Sequence, residues 1–314
     1  MAESIITSVT NQAAYARPHG DSSSDFLPSQ IALNVRGRRF VIDRETLSHL
    51  PDSLLNTMFP NGLAHIGRSY GGYGYGSSDY AYYRGGGDAG EQTWVDFDPD
   101  MLEYMLHAYS DTLEFDLLAL NRTSQGGAAA RGMAHVETPV VYYDRNPLVV
   151  LREELDYFVV PSSGRTRGDV SDVPGFTLDM AKTRCGELLA EDDSVFEPLE
   201  RTMQRNLEKW RSATVIEQQL IDMLCLAGFP RDARWGCRRV EPSKTAVTSL
   251  LTVPLDESAD QARMIAAQKL LLFYKKPARK CWWEGEDVNA GDNEHKIDLK
   301  LWCRRTWTLE LVLI

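Results

Sequence analysis

Residues 31–47, IALNVRGRRFVIDRETL, contain two short apolar runs separated by a basic step that includes a glycine. Leu33 and Val35 alternate with polar residues, and the same alternation returns after the break at Gly37-Arg38. Apolar residues at every second position indicate a strand with one buried face, and a glycine between two such runs indicates a turn. The segment therefore predicts a tight β-hairpin at the start of the ordered chain.

The chain has 314 residues, which is enough for two domains and additional flexible segments. It carries 34 Lys and Arg against 45 Asp and Glu, so its formal net charge is −11. An acidic balance of this size argues against nonspecific binding to nucleic acid or to anionic lipid, although it permits local basic patches. We expect no nucleic-acid partner.

Location in the cell is predicted from three further features. No apolar run approaches the roughly 18 residues that cross a bilayer, so no transmembrane segment is expected. The first residues, MAESIITSVTNQ, lack the basic and apolar regions of a signal peptide. The five cysteines are odd in number and widely spaced, which is typical of reduced thiols. We expect a cytoplasmic protein.

Changes in composition divide the chain into four parts. Residues 67–90 hold 9 of the 23 glycines and 6 of the 13 tyrosines, and ordering such a backbone is costly in entropy. The GGYGYG within it lacks the strand, helix and Lys-Ser/Thr of a phosphate loop. The predicted parts are a disordered tail (1–29), a first domain (30–162) with flexible insertions at about 60–92 and 121–140, a linker (163–195) and a second domain (196–314).

Helices are predicted in the first domain from caps and periodicity. Asp98 and Pro99 suit the cap and the first position of a helix whose apolar face includes Met101 and Met105. Asn146-Pro147 repeats this start, and LVVLREELDYFVV is interpreted as another helix.

The second domain combines a helical pattern with β-like runs. Apolar residues at steps of three and four extend from Phe196 to Leu224, and Gly228 predicts the helix stop. TAVTSLLTVPL, KLLLFYKK, IDLKLWC and WTLELVLI predict strands, and the last two are expected to pair across residues 304–306. The fold class expected is α+β, with a smaller second domain built on an antiparallel sheet.

Four blocks of the first domain resemble the BTB/POZ fold of the potassium-channel-tetramerisation type. The blocks are LNVRGRRF with TL, PDSLLNTMF, VDFDPDMLEYML and LREELDYF. The matching positions are Leu33, Asn34, Val35, Gly37, Phe40, Thr46, Leu47, Leu54, Met58, Phe59, Asp96, Asp98, Pro99, Tyr104, Leu106, Leu151, Glu153, Glu154 and Phe158. The resemblance implies self-association through this domain, but the two insertions lengthen loops that are usually short in that family.

The second half resembles the fungal general-stress-response proteins of the yeast "whiskey" set, which are known as phosphatase activators. The segments that carry this resemblance are LIDMLCLAGFPRDARWGCR, QKLLLFYKKPARKCWWE and WTLELVLI. It implies a non-enzymatic adaptor that activates or recruits a plasma-membrane phosphatase of the haloacid-dehalogenase type. It also implies a role in restraining nutrient-driven growth signalling, and a place at the plasma membrane through that partner.

An enzymatic function is the alternative to this adaptor hypothesis. The chain has no Gly-x-Ser-x-Gly elbow, Walker loop, kinase motif set or HExxH helix. Asp96 and Asp98 have the spacing of a dehalogenase nucleophile pair, but Pro99 and a helix follow, which favours capping by Asp98. Cys281, His295 and Cys303 include no close ligand pair, so no metal or cofactor is predicted.

Two groups of basic and aromatic residues are the candidate partner-binding site, because Arg and Trp dominate binding hot spots. They are Arg231, Arg234 and Trp235, and Lys275, Lys276, Arg279, Lys280, Trp282 and Trp283. The alternative is that the tryptophans pack in the sheet core while the charges form a solvated strand end.

A second functional hypothesis assumes the same fold: the chain would be a BTB substrate receptor of a cullin-type ubiquitin ligase.

Overall fold

The computed structural model of the protein describes residues 29–63, 92–125, 147–161, 178–210, 214–255, 261–274, 277–289 and 298–314. The predicted tail and most of both predicted insertions lie outside the described residues, as do Lys275 and Lys276. No helix in these ranges is long and apolar enough to cross a membrane.

The first sheet is built on the predicted hairpin. Strand β1 (Gln30–Val35) pairs antiparallel with β2 (Arg38–Asp43) and parallel with β3 (Thr93–Val95). The turn residues Arg36 and Gly37 both have positive φ, 46° and 93°, which is the geometry of a type I′ hairpin turn. The hairpin prediction is confirmed, with the turn centred one residue earlier than the predicted break.

Three helices pack on this first sheet: α1 (Arg44–Ser48), α2 (Asp52–Met58) and α3 (Pro99–Gln125). The cap prediction is confirmed, because Asp98 Oδ1 accepts the backbone N–H groups of Asp100 and Met101 at 3.0 and 3.1 Å. Helix α3 runs to Gln125, so residues 121–125 are helical, although the sequence pattern predicts a flexible insertion there.

The second sheet has five antiparallel strands in the order β5-β6-β4-β8-β7. They are β4 (Pro147–Pro161), β5 (Cys237–Val240), β6 (Ala246–Pro254), β7 (Ala278–Asn289) and β8 (Asp298–Leu313). The α+β class and the antiparallel sheet are therefore confirmed.

The helix predicted at LVVLREELDYFVV is wrong, because these residues form β4, the central strand of the second sheet. Residues 148–151 are apolar in succession and buried on both faces, and such a run has no period that separates a strand from a helix. The segment assigned to the end of the first domain thus lies between β6 and β8, so strands from both sides of the predicted linker share one sheet.

Two predicted strand assignments are also corrected. KLLLFY belongs to a helix, α7 (Gln261–Tyr274), although it was predicted as a strand. The predicted hairpin across residues 304–306 does not form, because β8 is continuous through this point. Arg305 points into the protein and pairs with buried carboxylates, so the arginine pair does not mark a turn.

Helices cover one face of the second sheet, here called the helical face. They are α4 (Leu178–Glu191), α5 (Glu197–Trp210), α6 (Thr214–Leu226) and α7. Leu151 and Leu155, on one side of β4, pack against them. Helix α4 lies within the predicted linker, but it is part of the packed structure, since Ala181 and Cys185 are buried against the sheet.

Among the described residues, the opposite face of the second sheet, here called the open face, is covered at one end only. Leu148 and Val150, on the other side of β4, share a core with Leu33 of the first sheet and Met105 of α3. Side chains alternate between the two faces along a strand, so the later residues of β4 on this side lie beyond the covered end.

Candidate functional site

Three large aromatic side chains lie on the open face, and we call them the aromatic surface. They are Phe158 of β4, Trp302 of β8 and Trp283 of β7, with 50%, 44% and 54% of their area exposed. Phe158 is directly opposite Trp302 across the strand pair, and its ring stacks on Trp283 with centroids 5.9 Å apart. The register of three strands thus brings together residues that are far apart in the sequence.

A glycine allows this arrangement. Gly285 of β7 is opposite Trp302, and a Cβ atom at this position would lie 2.9 to 3.1 Å from three carbons of the indole ring. Contacts this short are sterically unfavourable, so a side chain at residue 285 would displace the tryptophan. The indole therefore lies directly on the backbone of β7.

A charged cleft of about 320 Å³ lies between the open face and the first sheet. Arg36, from the hairpin turn, donates to Asp96 at 2.7 Å and to Glu241 at 2.6 Å across it. The hydrogen bond from Arg36 lowers the pKa of Asp96 from its ordinary value. Arg152 and Arg304 line the cleft on the side of the second sheet. The two halves of the structure are therefore joined at this cleft by the Arg36–Glu241 ion pair.

Asp96 and Asp98, the two carboxylates weighed as a nucleophile pair, have different structural partners. Asp96 is held by Arg36, and Asp98 caps α3. Among the described residues, no group of three His, Cys, Asp or Glu side chains is arranged to hold a metal ion.

The arginines predicted to bind a partner already have acidic partners within the chain. Arg231 forms ion pairs with Glu200 at 2.8 Å and with Asp222 at 3.4 Å. Arg234 pairs with Asp193 at 2.6 Å. Their charges are thus neutralised locally.

The predicted tryptophans are divided between the two sides of the sheet. Trp235 and Trp282 pack edge-to-face against the buried Trp307, with centroids 6.3 and 5.0 Å apart, so they belong to the core on the helical face. Trp283 faces the other way and joins the aromatic surface. Adjacent residues of a strand point to opposite faces, so these neighbours have different roles.

The remaining predicted cations do not complete a single surface. Arg279 donates to Thr308 at 3.4 Å, on the side of the open face. Lys280 lies 3.5 Å from Glu217 of α6, on the helical face. The seven predicted residues that the structure describes therefore lie on both faces of the sheet, and among these seven only Trp283 belongs to the aromatic surface. Phe158 and Trp302 were missed, because finding them requires the strand register.

A buried charge network lies under the helices and holds the three strands in register. Glu153 of β4 accepts from Arg305 at 3.0 Å, from Arg238 at 2.6 Å and from the indole of Trp307 at 2.9 Å. Arg305 also bonds to Glu284 of β7. Burial by itself raises the pKa of Glu153, but the two arginines offset this effect and keep the pKa below its ordinary value.

By its fold and surface, the described part of the chain is a two-sheet α+β protein with exposed aromatic side chains on the open face of its larger sheet. The particular family follows from sequence comparison. The chain is 30% identical over 297 residues to a WHI2-like protein of Schizosaccharomyces pombe, and the alignment covers 91% of this chain and 88% of that protein. The chain belongs to the WHI2-like family.

Two further relatives are more distant. A growth regulation protein of Saccharomyces cerevisiae is 24% identical over 313 residues, which cover 87% of this chain and 60% of that protein. An uncharacterised protein of Schizosaccharomyces pombe is 23% identical over 294 residues, which cover 94% of this chain and 90% of that protein. No protein-family model matches the chain.

Proposed function

We propose that the chain is a non-enzymatic adaptor in growth regulation, and that its partner binds at the aromatic surface. The name of the Saccharomyces cerevisiae relative, growth regulation protein, supports the biological role. The observation that carries the proposed mode of action is the exposure of Phe158, Trp283 and Trp302 side by side on one sheet face. Burial of aromatic area is the main favourable term in many protein interfaces.

The geometry of the aromatic surface suits a protein partner. The strands below it are fixed by the buried charge network, so little conformational entropy is lost when a partner packs against the rings. Arg304, half exposed on β8, and Asp156 of β4 flank the aromatic rings and provide a polar rim. An apolar centre with a polar rim is the usual anatomy of a specific interface.

We further propose that the partner is a phosphatase of the haloacid-dehalogenase type, as the family resemblance implies. The adaptor contributes binding and the phosphatase contributes the chemistry. In this scheme the chain is cytoplasmic and reaches the plasma membrane with its partner.

For the first sheet and its helices we propose a BTB/POZ-like unit that associates with a second copy. The supporting features are the β1–β2 hairpin, the parallel third strand and helices α1 to α3. Three of the four resembling blocks lie in this unit, whereas the fourth, with Leu151 and Phe158, lies in β4. Light scattering on the full chain tests the association, and a monomer at micromolar concentration would contradict it.

The test of the adaptor proposal is a binding measurement with matched tryptophan variants. The full chain is titrated against a purified fungal dehalogenase-type phosphatase, and Trp283→Ala is compared with Trp94→Ala. Trp94 lies on the first sheet and is 57% exposed, close to the 54% of Trp283. We expect Trp283→Ala to weaken binding about thirtyfold, as for a hot-spot residue, and Trp94→Ala to leave it unchanged. Equal affinities of the two variants would refute the proposed binding site.

A further inference from the structure

The charged cleft continues along the open face as far as the aromatic surface. Two of its lining residues, Arg304 of β8 and Asp156 of β4, lie opposite each other in the strand pair. Arg304 is also opposite Trp283 of β7, and it follows Trp302 by two residues along β8. Side chains at such positions are neighbours on one face of a sheet. The polar side chains of the cleft and the exposed aromatic rings therefore form one continuous surface.

The carboxylates of the cleft already have cationic partners. Among the described residues they are Asp96, Glu154, Asp156 and Glu241, and none of these belongs to β7 or β8. Arg36 donates to Asp96 and Glu241, and together with Lys244 it lowers the pKa of Asp96. Arg152 pairs with Glu154 at 3.1 Å. The acidic side of the cleft is thus offset by cations of the chain itself.

The side of the cleft formed by β7 and β8 carries cations and hydroxyl groups. Arg279 of β7 and Arg304 and Thr306 of β8 line this side. Arg279 donates to Thr308 at 3.4 Å and, within the part of the chain that the structure describes, forms no ion pair. The Arg304 side chain is 50% exposed, and its ion pair with Asp156 is long, at 4.0 Å. A guanidinium has five N–H donors, so both arginines retain donors for an external acceptor.

Thr306 and Cys281 lie between the two arginines. Thr306 follows Arg304 by two residues along β8, Cys281 follows Arg279 by two residues along β7, and the two are opposite each other. The Cys281 thiol lies next to the Arg304 guanidinium. An acceptor above Thr306 is therefore flanked by a guanidinium on each side. The cleft volume of about 320 Å³ is small for a ligand pocket, so it accommodates a side chain and not a folded element.

We propose that the partner of the aromatic surface places a carboxylate between Arg279 and Arg304, above Thr306. This assignment rests on the proposed function, since it concerns the polar half of the same interface. A guanidinium binds a carboxylate through two parallel N–H groups, and such charge-assisted hydrogen bonds are stronger than those between neutral groups. Glu154 and Asp156 border the site, so a group with a single negative charge is better tolerated there than a phosphate dianion.

The register of the strands predicts the spacing within the partner. Trp283 is opposite Arg304, which is two residues from Thr306, and Trp302 is four residues from Thr306. A strand advances about 3.3 Å per residue, so the carboxylate site lies roughly 7–13 Å from the aromatic rings. An extended partner segment therefore has an acidic residue two to four positions from the apolar residue that covers the rings.

The first experiment measures binding of the purified dehalogenase-type phosphatase to charge variants of the full chain. The double variant Arg279→Gln, Arg304→Gln is expected to weaken binding at least about tenfold, because two charge-assisted contacts are lost. Its affinity should also depend less on salt than that of the unmodified chain. The matched control is Arg184→Gln on the helical face, since the Arg184 side chain is 49% exposed and pairs with Glu187. We expect this control to bind like the unmodified chain, and melting temperatures verify that both variants fold.

The second experiment tests the site with synthetic peptides and without the phosphatase. The probe is the acetylated, amidated peptide Leu-Ser-Glu-Ser-Glu, and its counterpart has glutamine in place of both glutamates. NMR spectra of the isotope-labelled full chain record the tryptophan indole and arginine Nε–H signals, which are assigned with the substitution variants. We expect the glutamate peptide at millimolar concentration to shift the signals of Trp283, Arg279 and Arg304, and the glutamine peptide to cause much smaller shifts.

The two experiments distinguish failure of the carboxylate site from failure of the proposed function. If the phosphatase binds the double variant as tightly as the unmodified chain, the acidic contact is refuted, while binding at the aromatic surface stands. If the phosphatase does not bind the chain at all, the proposed function fails and the peptides decide about the site. Larger shifts with the glutamate peptide then support a carboxylate site, and equal shifts with the two peptides overturn it.

Discussion

Replacement of Arg305 by methionine tests the buried charge network that supports the aromatic surface. The Arg305 side chain is 1% exposed and pairs with Glu153 and Glu284, which are also buried. Arg305→Met keeps an extended side chain but removes the charge. Glu153 then retains Arg238 as its cationic partner, and Glu284 retains the more distant Arg205 at 3.6 Å.

The expected loss of stability is large, because the substitution leaves buried carboxylates without their main cation. Breaking a buried ion pair by removing one partner destabilises a protein by about 3–5 kcal/mol. For a structure of this size each kcal/mol lowers the melting temperature by roughly 2–4 °C, so Arg305→Met should lower it by about 6–20 °C.

The pH dependence gives a second readout. In the unmodified protein the pKa of Glu153 is lowered, so its contribution to stability is present above the unfolded-state pKa and is lost as pH falls through the folded-state pKa. Without Arg305, less of the effect of burial on Glu153 is offset, so its pKa is higher than in the unmodified protein. The cost of burying the Glu153 charge is then full at neutral pH and disappears on protonation. The difference in stability between the two proteins should therefore shrink as pH falls toward the ordinary Glu pKa of 4.5.

The assay is thermal and urea unfolding followed by circular dichroism at several pH values. The matched control is Arg304→Met, the neighbouring residue on the open face, which is half exposed and lies 4.0 Å from Asp156. We expect this control to have an unchanged melting temperature. Equal melting temperatures for the Arg304 and Arg305 variants, or a difference that does not depend on pH, would show that the buried charge network does not stabilise the sheet in this way.

Asp98→Ala should reduce the free energy of unfolding by about 1 kcal/mol because the α3 cap is lost, whereas Asp98→Asn should retain most of the capping stabilisation. Urea unfolding measures the stability of both variants, and an equal loss in the two would argue against capping. Gly285→Val should push the Trp302 indole off the β7 backbone, because a Cβ atom there lies within about 3 Å of the ring. Tryptophan fluorescence should shift and phosphatase binding should weaken, and an unchanged spectrum would contradict the packing.

Features that depend on local chemistry were predictable from the sequence. The hairpin turn requires a positive φ at residue 37, and the glycine at this position adopts such a φ readily, so its presence in the sequence indicates the turn. The Asp98 cap and the helix end at Gly228, whose φ is 112°, likewise depend on residues that adjoin the element.

Elements buried on both sides were not predictable in the same way. Residues 148–151 in β4 and the LLLF run of α7 are continuous apolar stretches, and neither shows a clear period. Tertiary structure decides their conformation: one is hydrogen-bonded between two strands, and the other packs as a helix beside α6.

The residues of the candidate site could not be predicted from local sequence, because they are determined by contacts between distant parts of the chain. Composition identified Arg and Trp as binding residues, but Arg231 and Arg234 are neutralised by acidic residues elsewhere in the chain. The alternation of Trp282 and Trp283 between two faces is predictable once β7 is known to be a strand. That Trp283 stacks on Phe158 follows only from the register of β4, β8 and β7.

Side-chain footprinting shows directly whether a protein partner covers the aromatic surface. Hydroxyl radicals are applied to the full chain with and without the purified phosphatase, and oxidation of each aromatic residue is measured by mass spectrometry. We expect the partner to protect Phe158, Trp283 and Trp302, while the similarly exposed Trp94 remains reactive. Protection of Trp94 with continued oxidation of Trp283 and Trp302 in the complex would contradict it.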